Sequence, residues 1–161
     1  MIPYTSKHSH VSPRGFTLLI AVVLASVALS LGLALLDIAL KQVILASTSK
    51  QSHIAFYAAD TVLECALYLD QKLGSFNYTT PRNLSTSGDT CNGLGFTGYT
   101  VTVGTPTTTT KANVQCTSGV LGSFEVHKNG TTGKTNIYAT GYNDCSVTSA
   151  RRIERGLKAS Y

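Results

Sequence analysis

Hydrophobic and polar positions divide the chain into an apolar N-terminal segment, an amphipathic segment and a polar remainder. Residues 16–36 form a run of 21 residues without Asp, Glu, Lys, Arg or His. At about 1.5 Å per helical residue the run spans roughly 30 Å, the thickness of a bilayer's hydrocarbon core. A secretory signal has a shorter apolar region, about 7–15 residues, followed by a small-residue cleavage site. The run therefore predicts a membrane helix that stays attached to the protein.

Beyond this run, hydrophobic residues recur at helical spacing. The members of this stripe lie three or four residues apart, and they are Ile54, Ala58, Val62, Cys65, Leu69 and Leu73. The periodicity predicts that residues 37–74 continue the helix, with one face packed on the rest of the protein. From Phe16 onward, Gly32 is the only glycine before Gly74, and one glycine weakens a helix by about 1 kcal/mol without ending it.

Residues 75–161 have the pattern of a β domain. The stretches that alternate between apolar and polar residues are 99–103, 124–126, 137–140 and 152–161. The second and third of these flank the glycine-containing segment 129–134, which predicts a hairpin. Residues 107–110, four consecutive threonines, are predicted as a loop or an exposed edge. The whole pattern predicts an α+β fold, in which one long helix packs on an antiparallel sheet of about four strands.

The four cysteines are Cys65, Cys91, Cys116 and Cys145, and all follow the apolar run. An even number in a polar domain beyond a membrane helix indicates disulfides outside the cytoplasm. Around the predicted hairpin, Cys116 and Cys145 would lie nearly opposite each other. That leaves Cys65 to pair with Cys91. Four cysteines allow three connectivities, and free buried thiols are the alternative.

Charge and motif content bear on the chemistry of the chain. The formal net charge is +5, and it falls to +3 without residues 1–15, which carry Lys7 and Arg14. This charge is too mild to indicate a nucleic-acid partner. Residues 93–98 match G-x-G-x-x-G but precede a predicted strand instead of opening a helix, which favours a turn over a dinucleotide site. No zinc-protease, serine-hydrolase or Walker motif occurs. We therefore predict a protein that is not an enzyme and uses no cofactor or metal.

The N-terminal segment 12–20 carries the most specific signal in the chain. A short basic leader is followed by Gly15, and Phe16 opens the long apolar helix. This arrangement resembles the type IV prepilin processing site, at which a membrane peptidase cuts after the glycine and methylates the new phenylalanine amine. The resemblance implies a leader at residues 1–15, cleavage between Gly15 and Phe16, N-methylation of Phe16 and a pilin-like fold.

Ile20 departs from the pattern of the major pilins. Those proteins carry glutamate at the fifth mature position, whose role in the family is to neutralise the amine of a neighbouring subunit's first residue. An apolar residue at this position resembles the minor pseudopilins found at a filament tip. The resemblance therefore implies a minor or initiating subunit of a type IV pilus or related filament.

The same resemblance implies the partners and the location of the protein. The partners would be a prepilin peptidase, other pilin subunits, the assembly platform and, before assembly, membrane lipid. Small residues suited to close helix contact recur along the apolar run at Ala21, Ala25, Ala28 and Gly32. Because Arg14 borders the apolar run, we expect a single-pass protein of the cytoplasmic membrane with its N-terminus on the cytoplasmic side and its domain outside. The resemblance implies that it later enters an extracellular pilus or filament.

Three alternatives share parts of this pattern. A pseudopilin of a type II secretion or DNA-uptake system has the same architecture. A plain membrane-anchored surface or adhesion domain would keep its leader. An anchored enzyme is disfavoured because no convergent polar constellation is visible in the sequence.

Overall fold

The computed structural model describes residues 14–161, with side chains from Phe16 onward. It has the predicted α+β fold, with five strands where about four were expected. The elements are α1 (Arg14–Gln71), β1 (Phe96–Val103), β2 (Thr107–Cys116), β3 (Gly119–Asn129), β4 (Thr135–Tyr142) and β5 (Glu154–Ser160). The strands form an antiparallel sheet in the order β1-β2-β3-β4-β5, so each strand pairs with the next one along the chain. The chain divides into two compact units between Ala46 and Ser47, and the sheet belongs to the second.

Within the second unit, α1 packs on the sheet through small side chains. The helix residues that are completely buried are Ala55, Ala59, Val62 and Ala66. Opposite them, Gly141 on β4 has no room for a side chain. A Cβ atom there would lie 2.6 Å from the Ala55 carbonyl oxygen and would overlap backbone atoms of Ala58 and Ala59. The helix backbone therefore lies directly against β4.

The predicted apolar stripe of the helix is correct in its middle and wrong at its ends. Its buried members are Ala58, Val62 and Leu69, and Cys65 is half-buried. Ile54 is 41% exposed and Leu73 is 39% exposed. Leu73 lies beyond the helix, which ends at Gln71. Ala55 is buried in place of Ile54, because the close contact with Gly141 admits only a small side chain.

The C-terminal end of α1 is fixed by a glycine and by a buried carboxylate. Gly74 has φ 58°, which glycine adopts readily, and its N–H donates to the Asp70 carbonyl at 3.1 Å. The Asp70 side chain receives hydrogen bonds from Lys128 Nζ at 2.7 Å and from the Tyr161 hydroxyl at 2.6 Å. Burial is the main cause that raises the pKa of Tyr161 above its ordinary value, and the Asp70 carboxylate raises it further. These contacts join the helix end to β3 and to the residue after β5.

The hydrophobic core lies between α1 and one face of the sheet. Phe124 on β3 is its centre, with ring centroids 5.6 Å from Phe76 and 6.0 Å from Phe96. Both ring pairs have the inclined geometry that aromatic side chains prefer. The remaining core side chains are mostly aliphatic, and they include Leu69, Leu84, Val114, Val126 and Ile137.

The prediction that residues 107–110 form a loop or an exposed edge is wrong. β2 begins at Thr107 and pairs with β1 on one side and β3 on the other. Thr108 and Thr110 are each only 2% exposed and face the core. The Thr108 hydroxyl donates to the Tyr78 carbonyl at 3.0 Å, so its burial leaves no unpaired polar group. β-Branched threonine favours extended backbone, and this preference outweighs its polarity here.

Candidate functional site

The candidate functional site is the apolar surface of α1, defined as residues 16–46. Every side chain in this range is exposed. The most apolar 18-residue window of the helix has a mean hydropathy of 2.7, and none of it is buried. Residues 14–161 therefore contain one helix that is long and apolar enough to cross a membrane. Apolar area left in water costs about 25 cal/mol per Å², so covering this surface with lipid or protein would be favourable.

Four polar side chains on the apolar surface of α1 have partners within the helix. The hydroxyls of Ser26 and Ser30 each donate to the carbonyl three residues earlier, at 2.8 Å. Asp37 and Lys41 lie one turn apart and form an ion pair at 2.7 Å. An unpaired polar group costs several kcal/mol in hydrocarbon. These local pairings therefore suit the surface to apolar surroundings.

The four small residues predicted to favour helix contact lie on this surface. Ala21, Ala25, Ala28 and Gly32 follow one another at intervals of four, three and four residues, which keeps them on one face of a helix. All four are exposed, and a Cβ atom on Gly32 would have no atom within 4 Å. A second helix could therefore approach the backbone closely along this stripe.

The predicted processing junction lies in the first turn of α1. Residues 1–13 of the predicted leader fall outside the described residues, and Gly15 is described by its backbone alone. Phe16 is 67% exposed and Ile20 is 41% exposed. These two residues are one helical turn apart on the apolar surface of α1, and Ile20 brings no carboxylate close to Phe16. Cleavage after Gly15 and methylation of Phe16 remain predictions.

The four cysteines lie in the second unit as two disulfides. Cys65 bonds to Cys91, with Cα atoms 5.7 Å apart, and Cys116 bonds to Cys145, with Cα atoms 6.2 Å apart. The first disulfide joins α1 to the loop before β1. The second joins the end of β2 to the segment after β4, where the Cys145 carbonyl accepts a hydrogen bond from the Val120 N–H at 3.1 Å. Disulfides of this kind persist in an oxidising compartment.

The G-x-G-x-x-G match at residues 93–98 is a turn that leads into a strand. Leu94 within the motif forms an isolated bridge with Cys91, and β1 begins within the motif at Phe96. Pyrophosphate binding by this motif requires the N-terminus of a following helix, and the next described element is a strand. Among residues 14–161, no group of three or more His, Cys, Asp or Glu side chains is placed to hold a metal ion.

One polar cluster on the sheet was not predicted from the sequence. Glu125 accepts hydrogen bonds from Lys111 at 2.8 Å and from His127 at 2.9 Å, and Thr109 Oγ1 lies 3.1 Å from His127 Nδ1. A hydroxyl, an imidazole and a carboxylate thus stand in series, as in a hydrolase triad. β2 and β3 are interior strands whose backbone groups pair in the ladder. The cluster therefore lacks nearby backbone donors for an oxyanion.

The described chain combines an exposed apolar helix surface, a stripe of small residues within it, and a disulfide-bonded α+β unit. No protein-family model, curated protein or solved structure matches the chain.

Proposed function

We propose that the protein is a structural, non-enzymatic subunit of a type IV pilus or related filament, processed between Gly15 and Phe16. The observation that supports this most is the apolar surface of α1, which is exposed along its whole length. Before assembly the surface would lie in membrane lipid. After assembly it would pack against the corresponding helices of other subunits, and the disulfide-bonded unit would form the exterior.

The length of the apolar surface favours a filament subunit over a simple membrane anchor. Residues 16–46 would extend over about 46 Å as a helix, whereas a bilayer's hydrocarbon core is about 30 Å thick. The part beyond Leu36 still exposes large apolar side chains, and they are Ile38, Leu40, Val43, Ile44 and Leu45, each at least half exposed. An anchor has no need of this excess, but a helix that packs against other helices outside lipid does.

The position of Ile20 supports a minor or initiating role. A glutamate there would be buried in a helix bundle, where its charge must be compensated by a neighbour's N-terminal amine. Ile20 removes this requirement, so the subunit does not need a neighbour whose first residue lies beside it. We therefore place the protein at a filament tip or at the start of assembly, with a prepilin peptidase, other pilins and the assembly platform as partners.

Processing can be tested with a matched pair of glycine variants. In cells that contain a prepilin peptidase, we expect wild type to lose residues 1–15 and Gly15→Val to keep them, because the bulky side chain blocks the cleavage site. Gly32→Val is the control, since it adds the same side chain to the same helix about 25 Å from the junction and leaves the junction intact. A blot against a C-terminal tag measures the shortening. Equal processing of wild type and Gly15→Val would contradict the proposed cleavage site.

A further inference from the structure

The sheet face turned away from α1 carries a row of short side chains that crosses all five strands. The cross-strand register places Thr97, Asn113, Ser123, Thr140 and Gly156 side by side. We call these five residues the floor row. With strands about 4.8 Å apart, the floor row is roughly 19 Å long. The Ser123 and Thr140 hydroxyls lie 2.7 Å apart, and the other members offer an amide, a hydroxyl and, at Gly156, bare backbone.

Long side chains border the floor row on one side. The register places Lys111, Glu125, Tyr138 and Lys158 in the adjacent row. Lys111 Nζ lies 2.8 Å from a Glu125 carboxylate oxygen, and Lys158 Nζ lies 5.0 Å from the centroid of the Tyr138 ring. We call these four residues the wall. Their mutual contacts already restrain the side chains, which limits the conformational entropy that they would lose on binding a ligand.

A second aromatic residue borders the other side. Tyr142 lies two residues beyond Thr140 on β4, so both point to the same face, and it pairs with Glu154 on β5. The Arg152 guanidinium carbon lies 3.5 Å from the centroid of the Tyr142 ring. Tyr138 and Tyr142 thus flank Thr140 along one strand. The floor row and its two borders form a trough that runs across the strands.

A cavity of about 180 Å³ occupies the middle of this trough. Its polar lining comes from Lys111, Asn113, Ser123, Glu125, Tyr138 and Thr140. Sites for drug-sized ligands are larger, about 300–1,000 Å³. This cavity has the scale of a single sugar ring, and the trough continues beyond it on both sides.

We propose that the trough binds a neutral saccharide chain. Such a chain presents many hydroxyl groups, which match the hydroxyl and amide groups of the floor row. It also presents apolar ring faces, which match the part of Tyr138 that its contacts with Lys158 and His127 leave exposed, 42% of the residue. Within the wall, Glu125 neutralises Lys111 at 2.8 Å, which leaves one ammonium, Lys158, without a carboxylate, so a polyanion would find little net charge there. The length of the floor row suits several linked sugar rings lying across the strands. This proposal does not depend on filament assembly, since it concerns the second unit alone.

Binding can be tested with the full-length protein in a detergent without a sugar head group, such as an amine oxide. The probes are immobilised neutral, N-acetylated and uronate-containing oligosaccharides and a DNA oligonucleotide, followed by titration of any that bind. We expect at least one neutral oligosaccharide to bind with a Kd below about 1 mM. Tyr138→Ala should weaken binding at least tenfold and Thr140→Val several-fold, whereas Tyr138→Phe retains it. Tyr57→Ala is the control, because Tyr57 is an exposed tyrosine of α1, 66% accessible.

Three results would overturn the proposal. The first is that no oligosaccharide of the panel binds. The second is equal binding by wild type, Tyr138→Ala and Thr140→Val. The third is binding confined to uronates and to a DNA oligonucleotide that disappears between about 0.15 M and 0.5 M salt, which indicates general charge attraction. If Tyr138→Ala proves unfolded by circular dichroism, Thr140→Val tests the proposal instead. It replaces one hydroxyl at the trough floor with a methyl group of similar size.

Discussion

We expect Gly141→Ala to lower the free energy of unfolding of the second unit by more than about 3 kcal/mol. The added Cβ atom would lie 2.6 Å from the Ala55 carbonyl oxygen and would overlap the backbone at Ala58 and Ala59. Overpacking against side chains costs about 1–3 kcal/mol because side chains can change rotamer. Helix backbone cannot do so, and α1 must instead move away from the sheet and lose contacts at Val62.

The measurement is urea unfolding of the full-length protein in detergent micelles. The chain contains eight tyrosines and no tryptophan, so near-UV circular dichroism of tyrosine reports on the packing of the second unit. Gly156→Ala is the matched control. It adds the same methyl group to the neighbouring strand, where the Cβ atom meets only the Ala139 carbonyl oxygen at 3.7 Å. We expect a change within about 0.5 kcal/mol there, and equal stability of the two variants would contradict the helix–sheet contact.

The second large effect is expected at Asp70. Replacing it with alanine leaves the Lys128 ammonium and the Tyr161 hydroxyl without their common acceptor. Removing one member of a buried ion pair costs about 3–5 kcal/mol. The Lys128 side chain is 29% exposed and recovers part of its hydration, so we expect a loss of about 3 kcal/mol. Glu64→Ala is the control, because Glu64 is an exposed carboxylate of the same helix.

The same cluster gives the stability of the protein a pH dependence. Burial and Asp70 raise the pKa of Tyr161 in the folded state, whereas an unfolded tyrosine titrates near pH 10. The contribution of Tyr161 is therefore complete below about pH 10 and decreases as the pH rises above that value. Tyr161→Phe should lower stability by about 1 kcal/mol at neutral pH, the value of one hydrogen bond, and should flatten the alkaline decrease. Parallel alkaline profiles for the two proteins would exclude this linkage.

Several elements were predictable because local periodicity determines them. The apolar run and the following stripe predicted α1, and the two alternating stretches around residues 129–134 predicted the β3–β4 hairpin. In the structure Phe124 pairs with Ala139 and Val126 with Ile137, which is the register that a turn at those residues requires. Such features depend on neighbours close in sequence.

The cysteine pairing shows a correct outcome reached through a partly wrong geometry. Cys116 was expected on the hairpin strand that opposes Cys145. It lies instead at the end of β2, opposite Gly119, because the chain turns between Cys116 and Gly119 and starts a new strand. The turn places Cys116 beside the segment after β4, which contains Cys145. An alternating pattern does not show where one strand ends and another begins when the intervening turn is only two residues long.

The remaining differences come from packing between distant segments. Ala55 and Ala59 carry the close helix–sheet contact, yet small alanines do not mark a buried face as large aliphatic residues do. Their role follows from Gly141, which is distant in sequence. The same holds for the trough, whose floor row exists only once the register of all five strands is known.

The central claim is that the protein is a processed filament subunit, and the N-terminal peptide of the assembled protein tests it most directly. Filaments sheared from cells that express the chain can be purified, digested and examined by mass spectrometry. We expect the chain in this fraction, in smaller amount than a major subunit, with an N-terminal peptide that begins at N-methylated Phe16. A chain confined to the membrane fraction, with Met1 or other residues of 1–15 still attached, would contradict the proposed function.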